Sequence, residues 1–193
     1  KEPNFCDNRE LSKAEPIYEV NWGHDTKRYS PHDVSGLTKD DVKKLKLKWS
    51  FAFPNALRAR SQPTISMGAV FVGSQDGRVY AFDLETGCTK WVFSASAEVR
   101  TGIVLSAPSD QVSEKNPPLA FFGDLLGRAY AVNALNGKLV WSIRTDDHPS
   151  TTLTGTPAYY QGVLFIPISS LEVVPAADPN YSCCSFRGSL LAV

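Results

Sequence analysis

Two adjacent cysteines, Cys183 and Cys184, are the pair in this chain whose type and spacing carry the most chemistry. Neighbouring thiols either stay separate and partly buried or close into a vicinal disulfide, a compact ring with a stiff, flat sulfur surface. Such demanding geometry is tolerated where the surroundings over-determine it, often at functional sites, and an oxidising compartment permits it. Cys6 and Cys88 complete a set of four cysteines. None falls in a Cys-x-x-Cys or Cys-x-x-Cys-His pattern, which argues against a zinc ribbon and c-type haem attachment. The 20 Lys and Arg balance the 20 Asp and Glu. The basic run at 43–48 reads as a charged helix end leading into a strand, so no nucleic-acid partner is expected. No apolar run approaches the roughly 18 residues of a membrane-spanning helix. The start at Lys1 shows no signal peptide and reads as mature or trimmed.

The elements that must position such residues announce themselves by repetition. Residues 73–91 and 123–141, about fifty residues apart, carry the same residues in register: Gly77 and Gly127, Tyr80 and Tyr130, Ala81 and Ala131, Asp83 and Asn133, Gly87 and Gly137, Trp91 and Trp141. A third copy opens at Gly188. A repeat of this size signals a propeller or solenoid. Within it, 69–72, 78–82 and 90–93 are short, β-branched or aromatic runs separated by Gly/Asp turns, the pattern of antiparallel strands. Asp83 caps its own turn and Gly87 takes the left-handed position. About four strands per repeat is the size of a propeller blade. The tryptophans are expected to pack between blades, each indole N–H on a carbonyl.

Outside the repeat, 22–31 is polar and turn-rich, and 108–118 reads as a surface insertion. Thr38 with Asp41 forms a capping box that opens a short helix to about Leu45. Alternation over 47–51 predicts a half-buried strand.

The pattern Ala-x-[Asp/Asn]-x-x-[Thr/Asn]-Gly-x-x-x-Trp at 81–91 and 131–141 resembles the tryptophan-docking motif of quinoprotein dehydrogenases, eight-bladed propellers that hold pyrroloquinoline quinone (PQQ) on their axis. The approach segment, with Trp22, Asp25, Arg28, Pro31, Trp49 and Phe51, is similar to theirs, and residues around Pro54, Gln62, Thr64, Ser74 and Thr101 are closest to the polyvinyl alcohol dehydrogenase-like group. The resemblance implies an all-β fold, a quinoprotein-type β-propeller of which about the first three blades are present. A helix-and-loop segment at 1–46 precedes the incomplete propeller at 47–193, with blades ending near 95, 145 and beyond 193.

Function is implied by the same likeness. A Thr before the third blade's opening strand and Ser-x-x-Glu after it match Thr154, Ser169 and Glu172. By that match Thr154 and Ser169 hydrogen-bond the quinone's carboxylates, and Glu172 ligates a calcium ion or another hard metal ion, suited to carboxylate oxygen, that polarises the reactive carbonyl. The ordinary alternatives are an exposed loop carboxylate for Glu172 and local turn hydrogen bonds for the two hydroxyls. Arg100 matches an arginine that contacts the quinone, where a guanidinium fork suits oxygen acceptors; a surface salt bridge is its alternative. Arg187 either reaches the ligand or pairs on the blade's second strand.

Two departures stand out. Relatives of the methanol-dehydrogenase type carry their vicinal disulfide just before the arginine that Arg100 matches, whereas Cys183 and Cys184 follow an insertion at 173–182; at either place the ring overhangs the axis. A glutamate of those relatives is matched here by Arg60, so that Arg60 faces the quinone with opposite charge or Gln62 serves instead. A tie between Cys6 and Cys88 would pin the N-terminal segment, with two separate thiols as the alternative.

The expected activity is PQQ- and calcium-dependent oxidation of a secondary alcohol or polymer hydroxyl by hydride transfer to the quinone, in a periplasmic or secreted protein. The alcohol substrate, an electron-accepting cytochrome c and the rest of the propeller are the expected partners. The catalytic base lies on a later blade, so the chain reads as an N-terminal fragment or one piece of an assembled ring. The alternative is a non-catalytic periplasmic propeller scaffold of the outer-membrane assembly type.

Overall fold

A computed structural model of the protein describes residues 4–11, 36–106 and 116–193. Each full repeat folds into one antiparallel sheet. The first is β1 (Thr64–Ser66), β2 (Ala69–Gly73), β3 (Arg78–Asp83) and β4 (Thr89–Ser94), in that spatial order. The second is β5 (Val104–Leu105), β6 (Leu119–Gly123), β7 (Arg128–Asn133) and β8 (Leu139–Arg144), likewise in order. In the third, β10 (Ala158–Tyr160), β11 (Val163–Ser170) and β12 (Ser189–Ala192) lie side by side, and β9 (Thr151–Thr152) pairs with the end of β11.

The registers superimpose the repeats. Phe71 pairs with Thr64 and Ala81, Phe121 with Val104 and Ala131, and Phe165 with Ala158 and Ala192. The meander is a propeller blade: short strands, tight turns and a neighbour on each face. That packing buries both faces of β3 and β7 and explains their near-continuous apolar runs. Phe71, Val79, Val99, Ile103, Phe122 and Val132 fill the space between the first two sheets. Phe121, Leu153, Leu164 and Ile166 fill that between the second and third. The protein is therefore all-β and propeller-like, with β5 and β10, the first strands of neighbouring blades, meeting at the hub.

Trp91 pins the first blade to the second as its placement predicts, and Trp49 ties the N-terminal segment to the first blade in the same way. Trp49 donates its indole N–H to Leu84 O at 3.0 Å, and Trp91 to Ala134 O at 2.9 Å. Each ring lies on a turn glycine at positive φ, Gly87 under Trp49 and Gly137 under Trp91. A Cβ there would sit 2.6 or 2.7 Å from the indole, so glycine is required twice over.

The N-terminal elements differ from expectation. The capping box is present, Asp41 N–H donating to Thr38 Oγ1 and Thr38 N–H to Asp41 Oδ2. The helix it opens, α1 (Lys39–Val42), stops short of Leu45, because Lys43 and Lys44 close a turn instead. Residues 47–51 form no strand. Among the described residues no ladder partner lies beside them, and Trp49, Phe51 and Phe53 pack directly on Tyr80 and Phe82. The polar segment 22–31 and most of the 108–118 loop fall outside the described residues. No helix among the described residues is long and apolar enough to cross a membrane.

Candidate functional site

Strand direction decides which loops share an end of the arc. The β2–β3 and β6–β7 turns, the entries to β1, β5 and β10, and the β11–β12 connection all lie at one end, here called the upper end. The β1–β2, β3–β4 and β7–β8 turns, with Cys88, lie at the lower end. Arg100, Thr154, Ser169, Glu172, Cys183, Cys184 and Arg187 therefore all belong to the upper end. Two of them are the same position in consecutive blades. Val99 N–H donates to Ser74 O and Leu153 N–H to Asp124 O, at 3.0 and 3.1 Å; Arg100 and Thr154 follow directly. Arg60 holds that position in the first blade, four residues before Thr64 as Arg100 is before Val104.

The next position anchors each entry loop. Ser61 Oγ accepts from Gly73 N at 2.9 Å and donates to Thr101 O at 2.8 Å. Thr101 Oγ1 accepts from Gly123 N at 3.1 Å. The third blade has Gly155 opposite Pro167, a residue with no N–H to satisfy. One residue further on, Gly102 N–H donates to Thr156 Oγ1 at 2.9 Å, joining two blades at the hub.

Arg60 and Arg100 flank one carboxylate. Arg100 makes a bidentate pair with Glu98 (Nε–Oε1 2.9 Å, Nη2–Oε2 3.2 Å), and Arg60 Nη1 lies 3.7 Å from Glu98 Oε1. The salt bridge that was the alternative for Arg100 thus exists. Two guanidiniums to one carboxylate leave this cluster with a net positive charge. Thr154 is exposed and Ser169 half-buried. Neither hydroxyl makes a hydrogen bond among the described residues, so the turn bonds that were their alternative do not form. Thr152, cross-strand from Ser169, buries an Oγ1 without a partner, a signal that periodicity could not reveal.

Glu172 is no exposed loop carboxylate. It is 4% exposed and organises the long β11–β12 connection. Ser170 Oγ accepts its N–H at 2.9 Å. Its Oε1 accepts from Tyr181 Oη and Ser185 N, both at 2.8 Å, and from Ser185 Oγ at 3.3 Å. Its Oε2 accepts from Phe186 N at 3.0 Å, with Ser170 Oγ at 3.5 Å. Burial alone pushes its pKa up; the bonds from Ser185 N–H, Tyr181 O–H, Phe186 N–H and Ser185 O–H outweigh it and hold the carboxyl at about 2. Glu172 is therefore an anion across the physiological range.

Cys6 pairs with Cys88 in a disulfide, and the sulfurs of Cys183 and Cys184 lie together as the vicinal pair the sequence suggested. The vicinal ring is exposed on the upper-end loop that Glu172 gathers. Arg187 is exposed and folds back on that loop, donating to Cys184 O at 3.0 Å and Phe186 O at 2.9 Å. The pairing on the blade's second strand is therefore not formed. His148, which no sequence pattern singled out, closes the loop from the blade behind through Ser185 Oγ at 2.9 Å.

Three antiparallel blades, the first docked on the second by Trp91, and a polar upper hub define a propeller of the PQQ type. Residues 25–174 match the family model PQQ_2, described as "Outer membrane protein assembly factor BamB", and the chain belongs to that family. It is 37% identical over 86% of its length to a polyvinylalcohol dehydrogenase of Pseudomonas sp, covering 25% of that protein. It is 30% identical to a 1-butanol dehydrogenase (cytochrome c) of Thauera butanivorans, over 79% of this chain and 23% of the relative. The crystal structure of quinohemoprotein alcohol dehydrogenase from Comamonas testosteroni shares the fold, with a TM-score of 0.56 and 23% identity over 68% of this chain and 20% of that one. The chain thus spans about a quarter of the length of the curated relatives it matches.

Proposed function

We propose that this chain is the quinone-binding sector of a PQQ-dependent alcohol dehydrogenase that oxidises a secondary alcohol or polymer-borne hydroxyl groups. The observation that carries the reading is the placement, at one end of the arc, of unspent hydroxyls on Thr154 and Ser169, the Arg60–Glu98–Arg100 cluster and an ionised Glu172. Hydroxyl donors and guanidiniums at one end suit a polycarboxylated ligand, and the carboxylate of Glu172 suits a cation. Thr154, Ser169 and Arg100 would hold its carboxylates, with Cys183 and Cys184 and, from the same loop, Arg187 near its face. Glu172 would give one oxygen to a calcium ion. Among the described residues no three acidic, His or Cys side chains converge as a cation cage, so Glu172 is one ligand of several, the others and the catalytic base belonging to further blades. When bound, the quinone supplies a two-electron acceptor and the cation a Lewis acid beside it. Electrons would pass to a cytochrome c, and the two disulfides favour a periplasmic or secreted site.

A second reading, a non-catalytic scaffold, is favoured by the description of the matching family model. Absorbance titration of the full-length protein with PQQ and calcium separates the two. Saturable binding, weakened tenfold or more by Glu172→Ala, is the expected result. No binding by the wild type, with Glu172→Ala unchanged from it, points to the scaffold.

A further inference from the structure

The β8–β9 connection carries His148, whose ring is fixed at both nitrogens. Ser150 N–H donates to Nδ1 at 3.1 Å. A backbone amide can only donate, so Nδ1 holds the lone pair and the neutral ring carries its proton on Nε2. That proton points to Ser185 Oγ at 2.9 Å, which frees the Ser185 hydroxyl proton for Glu172 Oε1 at 3.3 Å. Direction is therefore set along the whole chain, from Ser150 through His148 and Ser185 to Glu172. The His148 ring also lies edge-on to Phe186, 5.4 Å between centroids, and the Phe186 N–H donates to Oε2. His148 Nε2 itself is 4.0 Å from Oε1, too far for a direct hydrogen bond.

The two nitrogens serve different ends. The Nδ1 bond closes a turn within the connection. The Nε2 bond crosses to the insertion loop and has no purpose in the turn. With Ser185 fixed as a donor, Oε1 accepts from three groups, whereas Oε2 accepts from Phe186 N–H at 3.0 Å and only at 3.5 Å from the Ser170 hydroxyl. Oε2 is thus the less heavily bonded oxygen, the one better able to turn toward a cation.

We propose that His148 is a positioning residue for Glu172: through Ser185 it saturates Oε1 and reserves Oε2 for the cation. This rests on the quinoprotein reading above. Partners that orient a metal ligand are typically worth about 10–100-fold in metal affinity, which makes the role measurable apart from turnover. Asn places an acceptor where Nδ1 is, and Gln places a donor where Nε2 is. A turn-closing histidine is therefore replaced by Asn and a Ser185-fixing one by Gln.

The test is calorimetric titration of calcium into the full-length protein with PQQ present, using wild type, His148→Ala, His148→Asn and His148→Gln, with thermal unfolding of each. Weakening by about tenfold or more in the Ala and Asn variants, with Gln within about twofold of wild type, is the expected result. Rescue by Asn and not Gln, or wild-type affinity in all three, overturns the proposal while leaving the quinoprotein reading standing. A general loss of affinity that tracks the unfolding temperature, Gln included, also overturns it. Wild type that binds no calcium overturns both.

Discussion

Asp83 and Asn133 hold the same place in consecutive blades, yet only Asp83 can lose a charge. Its Oδ1 accepts from Glu85 N, Thr86 N and Thr86 Oγ1, and its Oδ2 lies 3.2 Å from Lys90 Nζ. Burial raises its pKa, but the Thr86 N–H and hydroxyl and the Lys90 ammonium lower it further, to about 2 from 3.8. A depressed carboxylate pKa stabilises fully above the unfolded value and ceases to do so as pH falls through the folded one. The window thus runs from 3.8 down to about 2, and after solvent screening the contribution is about 1 kcal/mol. Asn keeps the turn bonds, as Asn133 does with Leu135 N, but not the Lys90 pair. Asp83→Asn should cost about 1 kcal/mol near neutrality and almost nothing near pH 2, read from denaturant unfolding at both pH values. An equal deficit at both would show that the charge is irrelevant. Asp83 is legible in the sequence because its turn closes within a few residues. Glu172 draws its donors from Tyr181, Ser185 and Phe186, and His148 approaches from another blade. No local window joins those groups, so the loop carboxylate hid its burial.

At the level of elements, the third blade's departure from the repeat is a coordinated change. Where the first two blades place a hydroxyl against a glycine N–H, the third has Gly155, whose added Cβ would lie 2.8 Å from Pro167 Cγ. The proline removes the donor and its ring takes up the space. Gly155→Thr alone should overpack the ring and cost about 1–3 kcal/mol, while Pro167→Gly alone exposes an N–H without its hydroxyl acceptor. Together they recreate the arrangement of Thr101 and Gly123. A double-mutant cycle by chemical denaturation should therefore show a favourable coupling of about 1–3 kcal/mol; simple additivity would contradict the swap. The strands of the first two repeats are readable from alternation, turn residues and register, since each is a local pattern repeated. The short β9 and its pairing with Ser169 and Ser170 are not, because two residues carry no period and their ladder partners lie beyond β10 in the sequence. The expected strand at 47–51 fails for the converse reason: alternation marks a half-buried segment but does not supply a ladder partner.

The whole arc separates structure from chemistry by its two ends. At the lower end the N-terminal segment runs along the outer edge of β4: Cys6 N–H donates to Thr89 O and Thr89 N–H to Asn4 O, at 3.0 and 2.7 Å. Lys90 Nζ donates to Asn8 O at 3.1 Å, and Leu11 enters the core between the first two blades. This covers an edge strand that would otherwise offer unpaired backbone to another chain. The Cys6–Cys88 disulfide locks the cover across a sequence separation of 82. Closing a loop of that size removes roughly 4–5 kcal/mol of unfolded-chain entropy in the chain-entropy view, and measured bridges usually deliver about 2–4 kcal/mol. Replacing both cysteines by serine should lower the unfolding free energy by about that amount and broaden proteolysis at the N-terminal segment. The upper hub lies at the far end of every blade and draws none of its candidate residues from this seam. PQQ affinity, measured below the variant's unfolding transition, should therefore stay within about twofold of wild type, since sites with no shared partners act independently. A tenfold loss of quinone binding in a folded Cys6→Ser, Cys88→Ser variant would show that the ends are coupled, and that the seam sets the spacing of the hub as well as its stability.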